Sequence, residues 1–511
     1  MRLLEILILT ALGVTLLSRL WRPNDRPQGL RFLPGILVAL TVIHLGLERY
    51  RWSMVPAYVL VAILALLALR RPTTPAAPSW GRRIGRALAV TMGLVGLGLS
   101  GVLAAGFPIF EYPEPTGPHG VGTARLFFVD RARVDSFAPT PGSPRELLAA
   151  VWYPATVAPD ARRDPFWPVG SQPSEAIGLP AFIFSHVPLV SAHSVAGAPM
   201  AASDARFPVI VFSHGFNSTP WQNVPQMEEL ASHGFIVVSI GHTYDATVVT
   251  FPDGRSVRDN SKTRPPHMSR ADYQTYAAML KRLEAETEPA AIRAKWRELQ
   301  AFAARTGFFV VPSIPVWVAD VRFVLDQLTL INAGSDQGIV GPTSTLRDRM
   351  DLDRLGVFGM SFGGSTAGLV CRVDSRCKAG INFDGWQFGD PDSALAVPFL
   401  YMTKGTSNHF AVYHGSTADL YEVNVRRSEH GNFGDLSLVA PLFTWIARPS
   451  LPLLGTIEAP AIERIMTTYS RAFFQQYLQG KPQAILANPS PTEMPDVVFT
   501  ARPATVPAPS P

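Results

Sequence analysis

The sequence predicts an α/β fold, a mostly parallel central sheet flanked by helices, preceded by an all-α transmembrane region. Three observations predict it. Between residues 141 and 480, short apolar runs rich in Val, Ile and Phe alternate with helical segments, as a parallel sheet with crossover helices requires. A Gly-x-Ser-x-Gly turn stands between one such run and the segment of small residues after it. Ahead of these, residues 1–107 hold four long apolar stretches, with arginines gathered in the connections.

The 511 residues leave room for two or three domains. Hydrophobic residues make up 47% and charged residues 17%, more apolar than an ordinary soluble chain. The net charge of +5 is unevenly placed. Residues 1–110 carry 12 Arg and no Lys against Glu5, Asp25 and Glu48, a net +9, so the remainder carries −4. Arginines set between apolar runs are a membrane pattern, and nucleic-acid binding is set aside.

The apolar stretches are 3–17, 33–47, 54–69 and 87–107. A spanning helix needs about 20 mostly apolar residues, which the fourth supplies alone and the others with their flanks. No small-x-small cleavage site follows the first, so it reads as a span and not a signal peptide. About four spans are expected. Placing the Arg-rich connections (Arg19, Arg22, Arg26, Arg31; Arg70, Arg71, Arg82, Arg83, Arg86) in the cytoplasm leaves Arg2, Arg49 and Arg51 outside. The chain after residue 107 is then extracytoplasmic, and the protein resides in the cell membrane.

Residues 108–140 read as a Pro/Gly-rich linker running into the first strand. Strands follow at 147–153, 209–212, 235–240, 355–358, 379–383, 399–402 and 421–425, with helices at 225–232, 316–330, 364–370 and 461–478. A charged helical insertion, 269–305, interrupts the order and is either solvated surface or a lid. Residues 481–511 are Pro- and Ala-rich and read as a disordered tail. Cys371 and Cys377, six apart, suit a short-loop disulfide or two buried thiols, and no metal site.

The chemistry centres on LGVFGMSFGGS, residues 355–365. Its glycines permit a turn too tight for Cβ atoms, which thrusts the Ser361 hydroxyl above the sheet at a helix N-terminus. In this strand–turn–helix context the domain at 141–480 reads as an α/β-hydrolase fold. A Ser hydroxyl needs a base and a group to orient it, in the order Ser, acid, His. His430 follows the last strand, whereas His409 and His414 sit after the preceding one. Asp384 closes the strand AGINFD, at the sheet edge where such sites form, with Asp390 and Asp392 as alternatives. The oxyanion donors are expected to be the backbone amides of Phe362 and, after the strand ending in His214-Gly215, of Phe216. His214 itself is expected to hold the loop. Trp221, Trp386 and Phe388 cluster near these motifs and suggest an apolar pocket.

The segments FPVIVFSHGF, ASHGFIVVSIGH, GMSFGG, INFDGW and EHGNF resemble the platelet-activating factor acetylhydrolases of the plasma and type II group, across most of residues 145–440. The resemblance includes the acid placed directly after the strand that follows the elbow. It implies Ser361 as nucleophile, Asp384 as acid, His430 as base, the Phe216 and Phe362 amides as oxyanion donors, and calcium-independent hydrolysis of short acyl esters on phospholipids with no cofactor. Two features depart from that family: Met360, where it usually has His, and the multi-span N-terminal region. The expected function is a membrane-anchored serine carboxylic-ester hydrolase whose partners are an ester or lipid substrate and the membrane. A polyester- or dienelactone-type esterase or an amidase would use the same triad, and the alternative of another class is a catalytically inactive membrane sensor or binding module.

Overall fold

Strands buried on both faces need near-continuous apolar sequence, and Phe207–Ser213 (FPVIVFS) is buried at every position. The computed structural model describes residues 1–21, 27–69, 80–168, 180–264, 268–405, 416–444, 454–487 and 492–504. Arg22, Arg26, Arg70 and Arg71 of the Arg-rich connections, and His409 and His414, lie outside the described residues. The strands are β1 (Gly120–Val134), β2 (Pro144–Ala155), β3 (Val195–Ala196), β4 (Phe207–Ser213), β5 (Ile236–Gly241), β6 (Val248–Thr250), β7 (Ser256–Arg258), β8 (Ile339–Val340), β9 (Met350–Met360), β10 (Cys377–Phe383), β11 (Phe399–Lys404), β12 (Leu420–Val425) and β13 (Val497–Arg502). Six of them run parallel in the order β5-β4-β9-β10-β11-β12. Strands β2 and β1 extend one side antiparallel, β13 closes the other, and β3 and β8 pair with β1.

The longer helices are α1 (Leu3–Ser18), α2 (Leu33–Leu47), α3 (Val55–Leu69), α4 (Trp80–Gly106), α5 (Val224–Ser232), α6 (Arg270–Glu284), α7 (Pro289–Thr306), α8 (Ser313–Asn332), α9 (Phe362–Val373) and α10 (Ala459–Gln479). Alternation along β4 shows how they are layered. Ile210 and Phe212 join Met227 of α5 and Phe474 of α10 on one face, whereas Val209 and Val211 join Val321 of α8 and Val370 of α9 on the other. The domain is an α/β-hydrolase-like sheet flanked by helices on both faces. A disulfide joins Cys371, near the end of α9, to Cys377 at the start of β10.

Two expectations change. The tail is not wholly disordered: Val497–Arg502 pairs antiparallel with β12, and Val497 and Phe499 pack on the core. An open edge beside β12 demands cover, and a Val-Val-Phe-Thr run supplies a strand that the surrounding prolines mask. The 269–305 insertion is two helices. Glu288 accepts a hydrogen bond from the Ala291 amide as N-cap of α7, and Pro289 takes its first position. Helix α7 then buries Ile292, Trp296, Leu299 and Ala303, a helical stripe facing the core.

In the N-terminal region α1 packs on α2 and α4, and α3 completes a ring of four around Ile8, Leu12, Leu37, Ala57 and Val61. Among the described residues, three helical segments are long and apolar enough to cross a membrane: Gln28–Leu47, Trp52–Leu69 and Arg83–Gly106. The fourth expected span, Leu3–Ser18, is a shorter apolar helix of 16 residues. The end of the bundle nearest the α/β domain is closed by Arg51, which pairs with both Glu5 carboxylate oxygens at 2.8 Å and donates to the Ala104 and Phe107 carbonyls.

Phe474 is fully buried, lies 5.8 Å from the Phe358 ring, and fills the space left by Gly356. Phe474→Ala is expected to cost about 3–5 kcal/mol, read as a lowered unfolding midpoint of the detergent-solubilised chain.

Candidate active site

The turn from β9 into α9 leaves no room for side chains on its flanks. A Cβ on Gly359 would strike the Gly363 backbone, one on Gly363 the Ser213 carbonyl, and one on Gly385 the Ser361 carbonyl. Between these contacts Ser361 adopts φ +54°, ψ −118°, a conformation costly for a residue with a side chain. Its amide donates to the Phe383 carbonyl at 2.7 Å, tying the turn to β10.

Asp384 lies one residue beyond β10 and is buried. Its Oδ1 accepts from the Lys404 amide at 3.1 Å and the Thr403 hydroxyl at 3.3 Å, which leaves Oδ2 aimed at His430 Nδ1, 2.7 Å away. His430 Nε2 is 2.9 Å from Ser361 Oγ. A carboxylate only accepts, so the proton sits on Nδ1 and Nε2 is free to accept from the serine. The His430 loop is pinned by Asn432, whose Oδ1 accepts from the Glu429 and Gly455 amides at 2.7 Å each. The alternative acids turn elsewhere: Asp392 pairs with Arg293 and Arg297 of α7, and Asp390 caps the Asp392 amide.

The loop after β4 reaches the same point. A Cβ on Gly215 would lie 3.0 Å from Met360 Sδ and 3.5 Å from Ser361 Cβ. The Asn217 and Ser218 amides donate to the Asp245 and Gly215 carbonyls, and Phe216 stands just before them. Phe362 opens α9, where amides have no partner within the helix.

His214 holds this loop as expected, but sequence reasoning missed the residues behind it. His214 is buried; its Nδ1 donates to the Gly215 carbonyl at 2.7 Å, and its Nε2 accepts from the His242 amide at 3.3 Å. Burial, with His242 close by, pushes its pKa down to about 3, so the ring is neutral, as both bonds require. His242 bridges Ser213 Oγ (3.1 Å) and Asp320 Oδ2 (3.0 Å) and stacks on Trp317 at 3.7 Å. Arg145 grips Asp320 through two nitrogens and reaches Asp135 and the Thr243 carbonyl. Burial alone would raise the Asp320 carboxyl, but the Arg145 guanidinium and His242 hold it well below the usual range. Only the recurrence of His after strand ends (SHG, GHT) hinted at these partners.

The cavity at Ser361 is lined by Trp167, Phe184, Phe216, Met360, His430, Asp435 and Leu436, among others. The pocket expectation fails for three residues. Trp221 lines a separate cavity and lies under the Arg125 guanidinium. Trp386 stacks on Trp296 of α7 at 4.9 Å, and Phe388 packs on Trp296 and Phe362. Past Gly385 the chain crosses to the face covered by α7, so these rings back the elbow and do not line the cavity. No residue of 269–305 lines it either.

The platelet-activating factor acetylhydrolase, isoform II, family matches residues 111–485. A probable 1-alkyl-2-acetylglycerophosphocholine esterase of Arthroderma benhamiae is 24% identical, over 76% of this chain and 94% of that relative. The platelet-activating factor acetylhydrolase of Bos taurus is 26% identical, over 53% of this chain and 57% of its own length, so the match spans little more than half of that relative. A ferulic acid esterase from Streptomyces cinnamoneus superposes with a TM-score of 0.57 at 27% identity, over 77% of this chain and 99% of that one.

Asp435 is buried, accepts from the Asn223 amide and Trp167 Nε1, and is pushed by burial up to about 7. Glu463, raised by burial and by Asp435 to about 8, lies near it. Both folded values exceed the unfolded ones, so their stabilisation is complete in acid and is lost as pH rises through about 7–8. The melting temperature is expected to fall between about pH 5 and pH 9, and Asp435→Asn to flatten that slope; thermal unfolding across this range checks it.

Proposed function

Because the chain belongs to the platelet-activating factor acetylhydrolase, isoform II, family and is a carboxylic ester hydrolase, we propose that it is a membrane-held serine esterase acting on short-acyl or lipid-like esters. The observation that carries this reading is the hydrogen-bond chain from Ser361 through His430 to Asp384, drawn from three loops at one edge of the sheet. In this reading Ser361 Oγ attacks the ester carbonyl while His430 Nε2 takes its proton, and Asp384 stabilises the imidazolium. The Phe216 and Phe362 amides hold the tetrahedral oxyanion. Its collapse breaks the C–O bond, and His430 returns the proton to the departing alcohol. Water then hydrolyses the acyl-enzyme by the same steps. An unbroken chain of this kind favours catalysis over a module that only binds.

A second reading, an esterase for aromatic or polymeric esters, is favoured by the likeness to the ferulic acid esterase and by the rings of Trp167, Phe184 and Phe216 around the cavity. Hydrolysis of p-nitrophenyl esters of rising length, a short-acyl phosphatidylcholine and a ferulate ester separates the two.

The helical bundle is proposed to lie in the cell membrane with the hydrolase domain outside the cytoplasm. Arg2, Arg51 and Phe107 share the end of the bundle nearest that domain, whereas Ser18, Leu33, Leu69 and Trp80, the helix ends that flank the Arg-rich connections, are at the opposite end. A disulfide in the hydrolase domain suits an oxidising compartment.

Ser361→Ala is expected to lower ester turnover by about 10⁴-fold or more and to abolish fluorophosphonate labelling; turnover that survives would end the serine-esterase reading. Protease added to intact cells is expected to cut the hydrolase domain, and a fragment shielded until lysis would reverse the orientation.

A further inference from the structure

The cavity at Ser361 and the helical bundle share a wall. Trp52 precedes α3, and its Nε1 donates to the Ile183 carbonyl at 3.1 Å while its ring packs on Phe182 and Phe107. Ile183 immediately precedes Phe184, a cavity residue whose ring meets Trp167, another cavity residue, at 6.2 Å. Phe107, just beyond α4, packs edge-on against Phe443 at 5.9 Å, and Phe443 in turn meets Phe184 at 6.5 Å. The segment bearing Phe443 also supplies Leu436 and Asp435 to the cavity. Gly106 fits so closely that a Cβ there would lie 2.6 Å from Leu442. His186 ties the two segments together by a 3.0 Å bond to the Val439 carbonyl.

Aromatic rings thus run without a gap from the end of an apolar, span-length helix to the pocket beside the nucleophile. A ring in a packed core holds its place only while its neighbours hold theirs, because a void forfeits contact energy and invites collapse. We propose that the end of the bundle is a working wall of the ester site: Trp52 and Phe107 are positioning residues that fix Phe184 and Trp167, and so set the length of the ester's apolar chain that fits against Ser361. This rests on the esterase reading above and gives the bundle a role beyond anchoring.

The test uses the full chain in detergent micelles, with p-nitrophenyl acetate and p-nitrophenyl octanoate as probes. Withdrawing the backing lets Phe184 recede, so Phe107→Ala and Trp52→Ala are each expected to raise the octanoate-to-acetate ratio of kcat/KM by about fivefold or more, carried by KM. Phe107→Leu carries the same test, with a smaller rise, if the alanine variant does not fold. Val95→Ala, at an exposed position on α4, is expected to leave the ratio unchanged. An unchanged or lowered ratio in the Phe107 and Trp52 variants, while fluorophosphonate still labels them, overturns the proposal, as does an equal rise in the Val95 variant. Wild-type chain that takes no fluorophosphonate label would instead sink the esterase reading itself.

Discussion

Everything at the site depends on one steric constraint, the absence of side chains where three backbones meet at Ser361. Gly359 and Gly363 let β9 reverse into α9, and Gly385 lets the chain leaving β10 pass against the Ser361 carbonyl. A methyl group at any of the three would separate elements whose contact defines the turn. The strained conformation at Ser361 costs roughly 1–3 kcal/mol, held by the 2.7 Å bond from its amide to Phe383 and by the helix packed behind it. The strain serves position: it lifts the hydroxyl clear of the sheet, where only a side chain arriving from another loop can meet it.

The second requirement is electrostatic. The buried cluster Arg145–Asp320–His242 is expensive to desolvate, and hydrophobic replacements of such groups often stabilise a fold. Its value lies in direction. A bidentate Arg145 fixes Asp320, which holds the ring of His242; the His242 backbone amide donates to His214 Nε2, and His214 Nδ1 donates to the Gly215 carbonyl and orients it. Trp317 covers His242 from one side and donates to Asp245, whose carbonyl takes the Asn217 amide. The peptide between Gly215 and Asn217 is therefore held from both ends. A donor meant for a charge that exists only in a transition state must be placed before that charge appears.

What could be read from sequence was whatever backbone geometry imposes. Ser361 and Asp384 each follow a strand end directly, His430 lies in the loop after β12, each of the three has a glycine close by, and the structure brings them together. What could not be read was side-chain direction. Trp386 and Phe388 sit within four residues of Asp384 but lie on the opposite side of the elbow, because α7 offers Trp296 as a partner there. Trp167 and Phe184, which do line the cavity, come from a long connection without periodicity and gave no signal. Strand β13 was hidden for a related reason: its register depends on the open edge of β12, a tertiary fact that composition does not encode.

Arg51 shows why the helical region and the hydrolase domain should be considered together. A buried guanidinium needs partners, and here both terminal nitrogens of Arg51 find them on two helices: Glu5 of α1, the Ala104 carbonyl of α4 and the Phe107 carbonyl just past it. The last carbonyls of a helix carry partial negative charge and have no partner within it, so the guanidinium is bound by α4 at the point where the chain leaves the bundle. Trp52 is the next residue, and its ring rests on Phe107. One side chain thus holds in place two of the residues through which the bundle touches the hydrolase domain. A tether that served only to hold an enzyme near a membrane would need length and solubility; a junction this closely packed transmits position.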